Sequence, residues 1–180
     1  GSAAAVVGGL LPIATGSDGG GSIRIPAGFC GLVGMKGTAG RIPRGPQTEI
    51  APLTVVQGCM ARSVRDVARW YDVCAGHDSR DPYSLARQDG WERDLGSYDL
   101  RGKRAVIAPD LGSATVRPEV EAAVREAGEA LARDTGLTLV DIPVKLPGMG
   151  VEWAMANLAQ LRRELGDRWP DCKDDLTLEM

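Results

Sequence analysis

Gly16-Ser17-Asp18-Gly19-Gly20-Gly21-Ser22-Ile23-Arg24-Ile25-Pro26 is the stretch on which the reading of this sequence turns. Three consecutive glycines let the backbone approach another group closely and take positive φ. Successive N–H groups in such a loop can converge into an anion-binding nest. If Ser22 opens a helix, its Oγ lies beside that nest. Acyl transfer requires a nucleophile next to convergent N–H donors. The donors stabilise the oxyanion of a tetrahedral intermediate, and losing one costs about 10²–10³ in rate. Other loop types fit these residues less well. A phosphate loop would need GxxxxGK[ST], which is absent. No G-x-G-x-x-G lies cleanly between a strand and a helix, as a dinucleotide loop requires. A hydrolase elbow would place glycine two residues after the serine, where Arg24 stands. A plain glycine turn capped by serine stays open on these residues alone.

Outward from the loop, residues 2–10 are small and apolar and predict a buried helix, with Gly8 and Gly9 near its end. Leu11 to Ala14 reads as a short strand, residues 15–22 as loop, Ile23 to Phe29 as a short helix and Leu32 to Lys36 as another strand. Ser63 and Asp66 form a capping pattern that opens a helix. Val64, Val67, Ala68, Tyr71 and Ala75 recur along it at helical spacing, and Gly76 ends it. Residues 78–99 are polar and turn-rich, a surface connection. A β-α-β pattern follows. Ala105 to Ala108 is apolar, Pro118 and Glu119 begin a helix with Val120, Val124, Ala127 and Leu131 on one face, and Leu137 to Ile142 forms the second strand. A last helix runs from about Val151 to Leu165 with Ala154, Leu158, Leu161 and Leu165 on one stripe. Alternating strands and helices predict an α/β fold, a mixed and largely parallel sheet flanked by helices.

Composition narrows the function classes. With 180 residues, 43% hydrophobic and 25% charged, the chain has the make-up of a globular domain. A net charge of −3 argues against a nucleic-acid partner. No run approaches the roughly 20 apolar residues that span a bilayer, and no signal-peptide pattern opens the sequence. Cys30, Cys59, Cys74 and Cys172 are scattered without a CxxC, so neither a zinc site nor a disulfide framework is expected. Reduced thiols imply a cytoplasmic setting. His77, the single histidine, lies in a turn-like Ala-Gly-His-Asp-Ser and reads as a surface residue. Trp70 and Trp153 sit at helical spacing and read as core or near-core.

Residues 1–43 as a whole, from Gly-Ser-Ala-Ala-Ala-Val through Gly-Ser-Asp-Gly-Gly-Gly-Ser-Ile-Arg-Ile-Pro-Ala-Gly-Phe-Cys-Gly-Leu-Val-Gly-Met-Lys-Gly-Thr-Ala-Gly-Arg-Ile-Pro, resemble the amidase signature. The likeness continues more loosely through Met60 to Asp66 and Asp81 to Leu85, and is only general beyond residue 86. Gly37 and Ala39 stand where the signature commonly has proline and an aromatic, and Cys59 stands where it commonly has proline.

The resemblance implies a serine amidohydrolase acting on a small-molecule amide, with no metal or organic cofactor and neither nucleic acid nor membrane as partner. A homodimer is left open. Ser22 matches the acylated nucleophile. The backbone N–H groups of Gly19, Gly20, Gly21 and Ser22 match the oxyanion hole. Ser17, Asp18 and Arg24 match positions that hold the loop by hydrogen bonds. Phe29 and Cys30 fall in a packing stretch. The family's base is a neutral lysine acting through a second serine with a cis peptide bond, a Ser-Ser-Lys variant of triad logic. The bridging serine belongs in a Gly-Gly-Ser-Ser-Gly-Gly stretch just before Gly1, and the lysine further upstream. Residues 1–180 are therefore expected to form one partial domain of a longer protein. In it, 1–43 carries the signature and 100–145 the β-α-β unit, and alone it is expected to be inactive. A tRNA-dependent amidotransferase subunit shares the signature but tends to carry glutamine at the position of Ile25, which favours a stand-alone hydrolase. A non-catalytic truncated copy is the third reading.

Overall fold

The computed structural model describes residues 1–44 and 54–176, which form two compact units. The first holds Gly1–Gly96 and the segment from Ala159 on; the second is Ser97–Leu158.

The first unit is built on a three-stranded sheet. Strand β1 (Ile13–Asp18) and strand β2 (Val33–Lys36) both flank strand β3 (Val56–Ala61). Both pairings are antiparallel, with Ala14 opposite Met60, Asp18 opposite Val56 and Gly34 opposite Met60. Because side chains alternate along a strand, the sheet has two distinct faces. One face packs Met60 against Ala3 of helix α1 (Ser2–Val7) and against Ile23 and Ala27 of the turn and helix α2 (Arg24–Phe29). The other packs Cys59 and Ala61 against Val67 and Tyr71 of helix α3 (Val64–Cys74), with Ile13, Val33 and Met35 around them. Helices thus cover both faces, as expected of an α/β fold.

Two corrections concern this sheet. The strand expected over Leu11 to Ala14 begins at Ile13 and continues through Asp18, taking in half of the expected loop. Tertiary pairing with β3 outweighs the poor strand propensity of Thr-Gly-Ser-Asp. The central strand β3 itself carries no alternation in sequence, because Val56 and Gly58 to Ala61 are buried on both faces. Close packing also needs small residues here. A Cβ on Gly34 would lie 2.5 Å from the Ala27 Cβ, so the glycine is what lets α2 settle on β2.

Helix α3 begins as the sequence predicts. Ser63 is its N-cap, accepting from the Asp66 amide at 3.1 Å and donating its hydroxyl to Asp66 Oδ2 at 2.7 Å. Tyr71, fully buried, donates to the Met35 carbonyl at 3.3 Å and meets the Trp70 and Trp91 rings at 5.1 and 5.2 Å. The segment after β2 is tied down by buried Asp81, which accepts from the Arg44 amide at 2.8 Å and the Tyr83 amide at 2.9 Å. His77 is a surface residue, with Nδ1 2.9 Å from the Ser84 hydroxyl.

The second unit contains the expected β-α-β order. Strands β4 (Arg104–Ala105) and β5 (Thr138–Leu139) pair in parallel, and helix α4 (Pro118–Thr135) connects them. The α/β class holds, but the expected mixed and largely parallel sheet does not: the three-stranded sheet is antiparallel throughout and the two-stranded one is parallel. Pro118 opens α4 as the sequence predicts, and Gly136, at φ +71°, closes it. The stripe on α4 is not core among the described residues: Val120, Val124 and Leu131 are exposed and Ala132 is the helix's buried residue. Helix α5 (Gly150–Leu165) likewise buries no residue, and Trp153 is exposed rather than near-core.

Candidate active site

The site is assembled where β1 ends and α2 begins. Asp18, the last residue of β1, is fully buried and organises the whole turn. Its Oδ1 accepts from the Gly21 amide at 2.7 Å and Arg24 Nη2 at 2.9 Å. Its Oδ2 accepts from the amides of Ile23 (3.2 Å) and Arg24 (3.3 Å) and from Arg24 Nε at 2.9 Å. The Arg24 guanidinium, bonded through Nε and Nη2, holds the Asp18 carboxyl well below the usual carboxylate range. Burial works against this, while the amides of Gly21, Arg24 and Ile23 reinforce it. A buried carboxylate is tolerable because it is paired and hydrogen-bonded. Fastened in this way, the chain passes directly from the end of β1 at Asp18 to the start of α2 at Arg24.

Gly21 completes the turn at φ +123°, in the region that favours glycine. A Cβ there would also lie 2.5 Å from Ile25 Cδ1. Gly21 is buried, whereas Ser22 stands exposed directly after it. The Ser22 hydroxyl has no partner among the described residues, nor do the amides of Gly20 and Ser22. Gly19 lies beside Val55, whose Cγ2 would be 2.8 Å from a Cβ added there. The arrangement presents a hydroxyl next to unpaired backbone donors on a rigid turn.

Two sequence expectations read differently against this geometry. The Gly21 amide is already committed to Asp18, so it holds the loop and is not a free donor like those of Gly20 and Ser22. Ser17 is exposed on β1 and its hydroxyl has no partner among the described residues, so the loop is supported by Asp18 and Arg24. Asp18 is not available as a base, because five donors occupy its oxygens and its proton affinity is depressed. Lys36 spends one N–H on the Gly37 carbonyl at 2.8 Å. Cys30, expected to pack, is half-buried beside the Ala3–Ile23–Ala27–Met60 cluster. Among the described residues no group of three or more His, Cys, Asp or Glu could hold a metal ion, and no helix is long and apolar enough to cross a membrane. Val55, against Gly19, and Ile25, against Gly21, are neighbours of the loop that residue type alone does not announce as such.

An exposed serine thus stands on a glycine turn between a strand and a helix, fastened by buried Asp18 and its ion pair with Arg24. The amidase family model matches residues 1–174, and the chain belongs to that family. It is 41% identical over 148 residues to a glutamyl-tRNA(Gln) amidotransferase subunit of Acinetobacter baylyi, a match covering 81% of this chain and 30% of that protein. Among solved structures, a bacterial aryl acylamidase of the amidase signature superposes with a TM-score of 0.80 at 30% identity, covering 99% of this chain and 39% of that one. The peptide amidase of Stenotrophomonas maltophilia superposes with a TM-score of 0.68 at 31% identity, covering 91% and 35%. The chain thus spans about 30% of the length of the curated relatives it matches.

Proposed function

We propose that these residues belong to an amide hydrolase in which Ser22 is the nucleophile. The observation that carries this reading is the exposed, unpartnered Ser22 hydroxyl next to the unpaired amides of Gly20 and Ser22 on the Asp18–Arg24 turn. Ser22 Oγ adds to the amide carbonyl and its proton passes to a base. The tetrahedral oxyanion is held by the Gly20 and Ser22 amides. The C–N bond then breaks as the departing nitrogen takes up that proton, leaving an ester on Ser22 and a free amine or ammonia. Water adds to the ester, the acid leaves, and the proton returns to Ser22 Oγ.

The base is the lysine, acting through a bridging serine, that the family resemblance places before Gly1. The working enzyme is then a polypeptide of the relatives' length, and residues 1–180 alone do not turn over. It acts in the cytoplasm on a small-molecule amide without cofactor. The test is hydrolysis of an amide panel by the longer polypeptide. Release of acid and amine, abolished by Ser22→Ala with unchanged folding, supports the reading; activity that survives Ser22→Ala refutes it.

A second reading has its own observation, the 41% identity to the Acinetobacter baylyi amidotransferase protein. In it the same acyl-enzyme forms, but the ammonia passes to another polypeptide of a complex. Amide hydrolysis that rises only when such partners and an aminoacylated tRNA are added would favour this reading.

A further inference from the structure

Three glycines in a row leave the backbone of residues 19–21 unrestrained by side chains of its own. An oxyanion donor nevertheless needs one fixed direction, because a hydrogen bond weakens steeply once its N–H points off line. One end of the triplet is fastened by Asp18, whose Oδ1 accepts from the Gly21 amide at 2.7 Å. The other end meets a residue from a distant part of the chain. Asp18 pairs with Val56 where β1 ends and β3 begins, and this brings Val55 alongside Gly19. A Cβ at Gly19 would lie 2.8 Å from Val55 Cγ2 and 3.7 Å from Val55 Cα and Cβ, so Val55 fills the space a side chain at position 19 would take. Valine branches at Cβ and is stiff at χ1, which makes that methyl a rigid surface. Gly19 and Val55 are both half-buried, and Gly20 next to them is exposed. The Gly20 N–H belongs to the peptide that joins Gly19 to Gly20, so it swings with ψ of Gly19.

We propose that Val55 is a positioning residue for the oxyanion hole. Its Cγ2 methyl bears on Gly19 and holds the Gly19–Gly20 peptide in the orientation in which the Gly20 N–H meets the oxyanion. The role belongs to the transition state, since a preorganised donor stabilises charge that the bound substrate does not yet carry. It depends on where the side chain branches, not on how apolar it is. The proposal rests on Ser22 being the nucleophile.

The test uses the longer polypeptide and needs no turnover. An alkyl fluorophosphonate puts its phosphoryl oxygen where the oxyanion would form. Labelling rates over a range of probe concentrations separate the binding constant KI from the bond-forming rate kinact. Peptide mass spectrometry gives the labelled residue and the final labelled fraction. Val55→Leu and Val55→Ile are isomers of each other, equally apolar, and only isoleucine keeps the Cγ2 methyl. The expected result for Val55→Leu is a fall of about tenfold in kinact, part of the 10²–10³ that loss of a whole donor costs, with KI unchanged and Ser22 labelled to completion. Val55→Ala should behave in the same way, and Val55→Leu decides the matter if the alanine variant does not fold. Val55→Ile should restore kinact. An unchanged kinact in Val55→Leu, with Ser22 still labelled, overturns the role of Val55 while leaving the nucleophile in place. A smaller labelled fraction or a raised KI at unchanged kinact overturns it too, because Val55 then serves folding or binding alone. Failure of the probe to label Ser22 in folded wild-type protein overturns the nucleophile and the positioning role together.

Discussion

Asp18→Asn is the substitution that most sharply tests how the site is held. Only one oxygen survives in asparagine. If it keeps the place of Oδ2, the bonds from Ile23, the Arg24 amide and Arg24 Nε remain, and those from the Gly21 amide and Arg24 Nη2 are lost. The guanidinium can turn to water, since the Arg24 side chain is 54% exposed, and that loss is worth at most about 1 kcal/mol. The Gly21 amide is buried and would face an NH₂ group, which costs roughly 1–3 kcal/mol. Removing the charge weakens the surviving bonds further. A total of about 2–4 kcal/mol follows, a large part of the 5–15 kcal/mol typical of a folded domain. Urea unfolding followed by tryptophan fluorescence measures it, since Trp70 and Trp91 pack on Tyr71 in the same unit. The Asp18 carboxyl is depressed in the folded state, so its contribution is fully present above the unfolded value near 3.8 and fades as pH falls below it toward the folded value. The gap between wild type and Asp18→Asn should therefore be constant from about pH 5 to 8 and narrow below about pH 4. A destabilisation under about 1 kcal/mol at pH 7, or a gap that widens in acid, would refute the role given to Asp18.

Gly21→Ala should destabilise the same turn by about 1–3 kcal/mol in the same urea assay, because alanine is strained at φ +123° and its Cβ would collide with Ile25. It should also slow labelling of Ser22 more than Gly28→Ala does, Gly28 having open space where a Cβ would go. Cys59 is fully buried and burial pushes its thiol up to about 12, so an alkylating agent at pH 8 should leave it unmodified in folded protein and modify it once urea is added. Rapid modification of Cys59 in the native state would contradict its placement between the sheet and α3.

Much of this is readable in residue order, for reasons that differ by element. Local signals are carried by a few residues each. Ser63 and Asp66 announce α3, Pro118 and Glu119 announce the start of α4, and the Gly19–Ser22 run marks the turn. Pairing is not local. β3 supplies the centre of the sheet, yet its burial on both faces erases the alternation that would reveal a strand. β1 extends into Gly-Ser-Asp only because β3 completes its ladder. Helical spacing reports which residues share a face but not what covers it, so the stripes of α4 and α5 are legible while their exposure is not. At the site, the Asp18–Arg24 pair follows from residue type and the cost of burying charge. The commitment of the Gly21 amide to Asp18 does not, since it depends on the direction of a single N–H.

The most direct test of the central claim is the covalent adduct itself. The polypeptide of the relatives' length is treated with a fluorophosphonate and the modified peptide is located by mass spectrometry. One adduct is expected, on Ser22, absent from Ser22→Ala protein that retains its fold. An adduct on another residue, or none on folded protein, would contradict it.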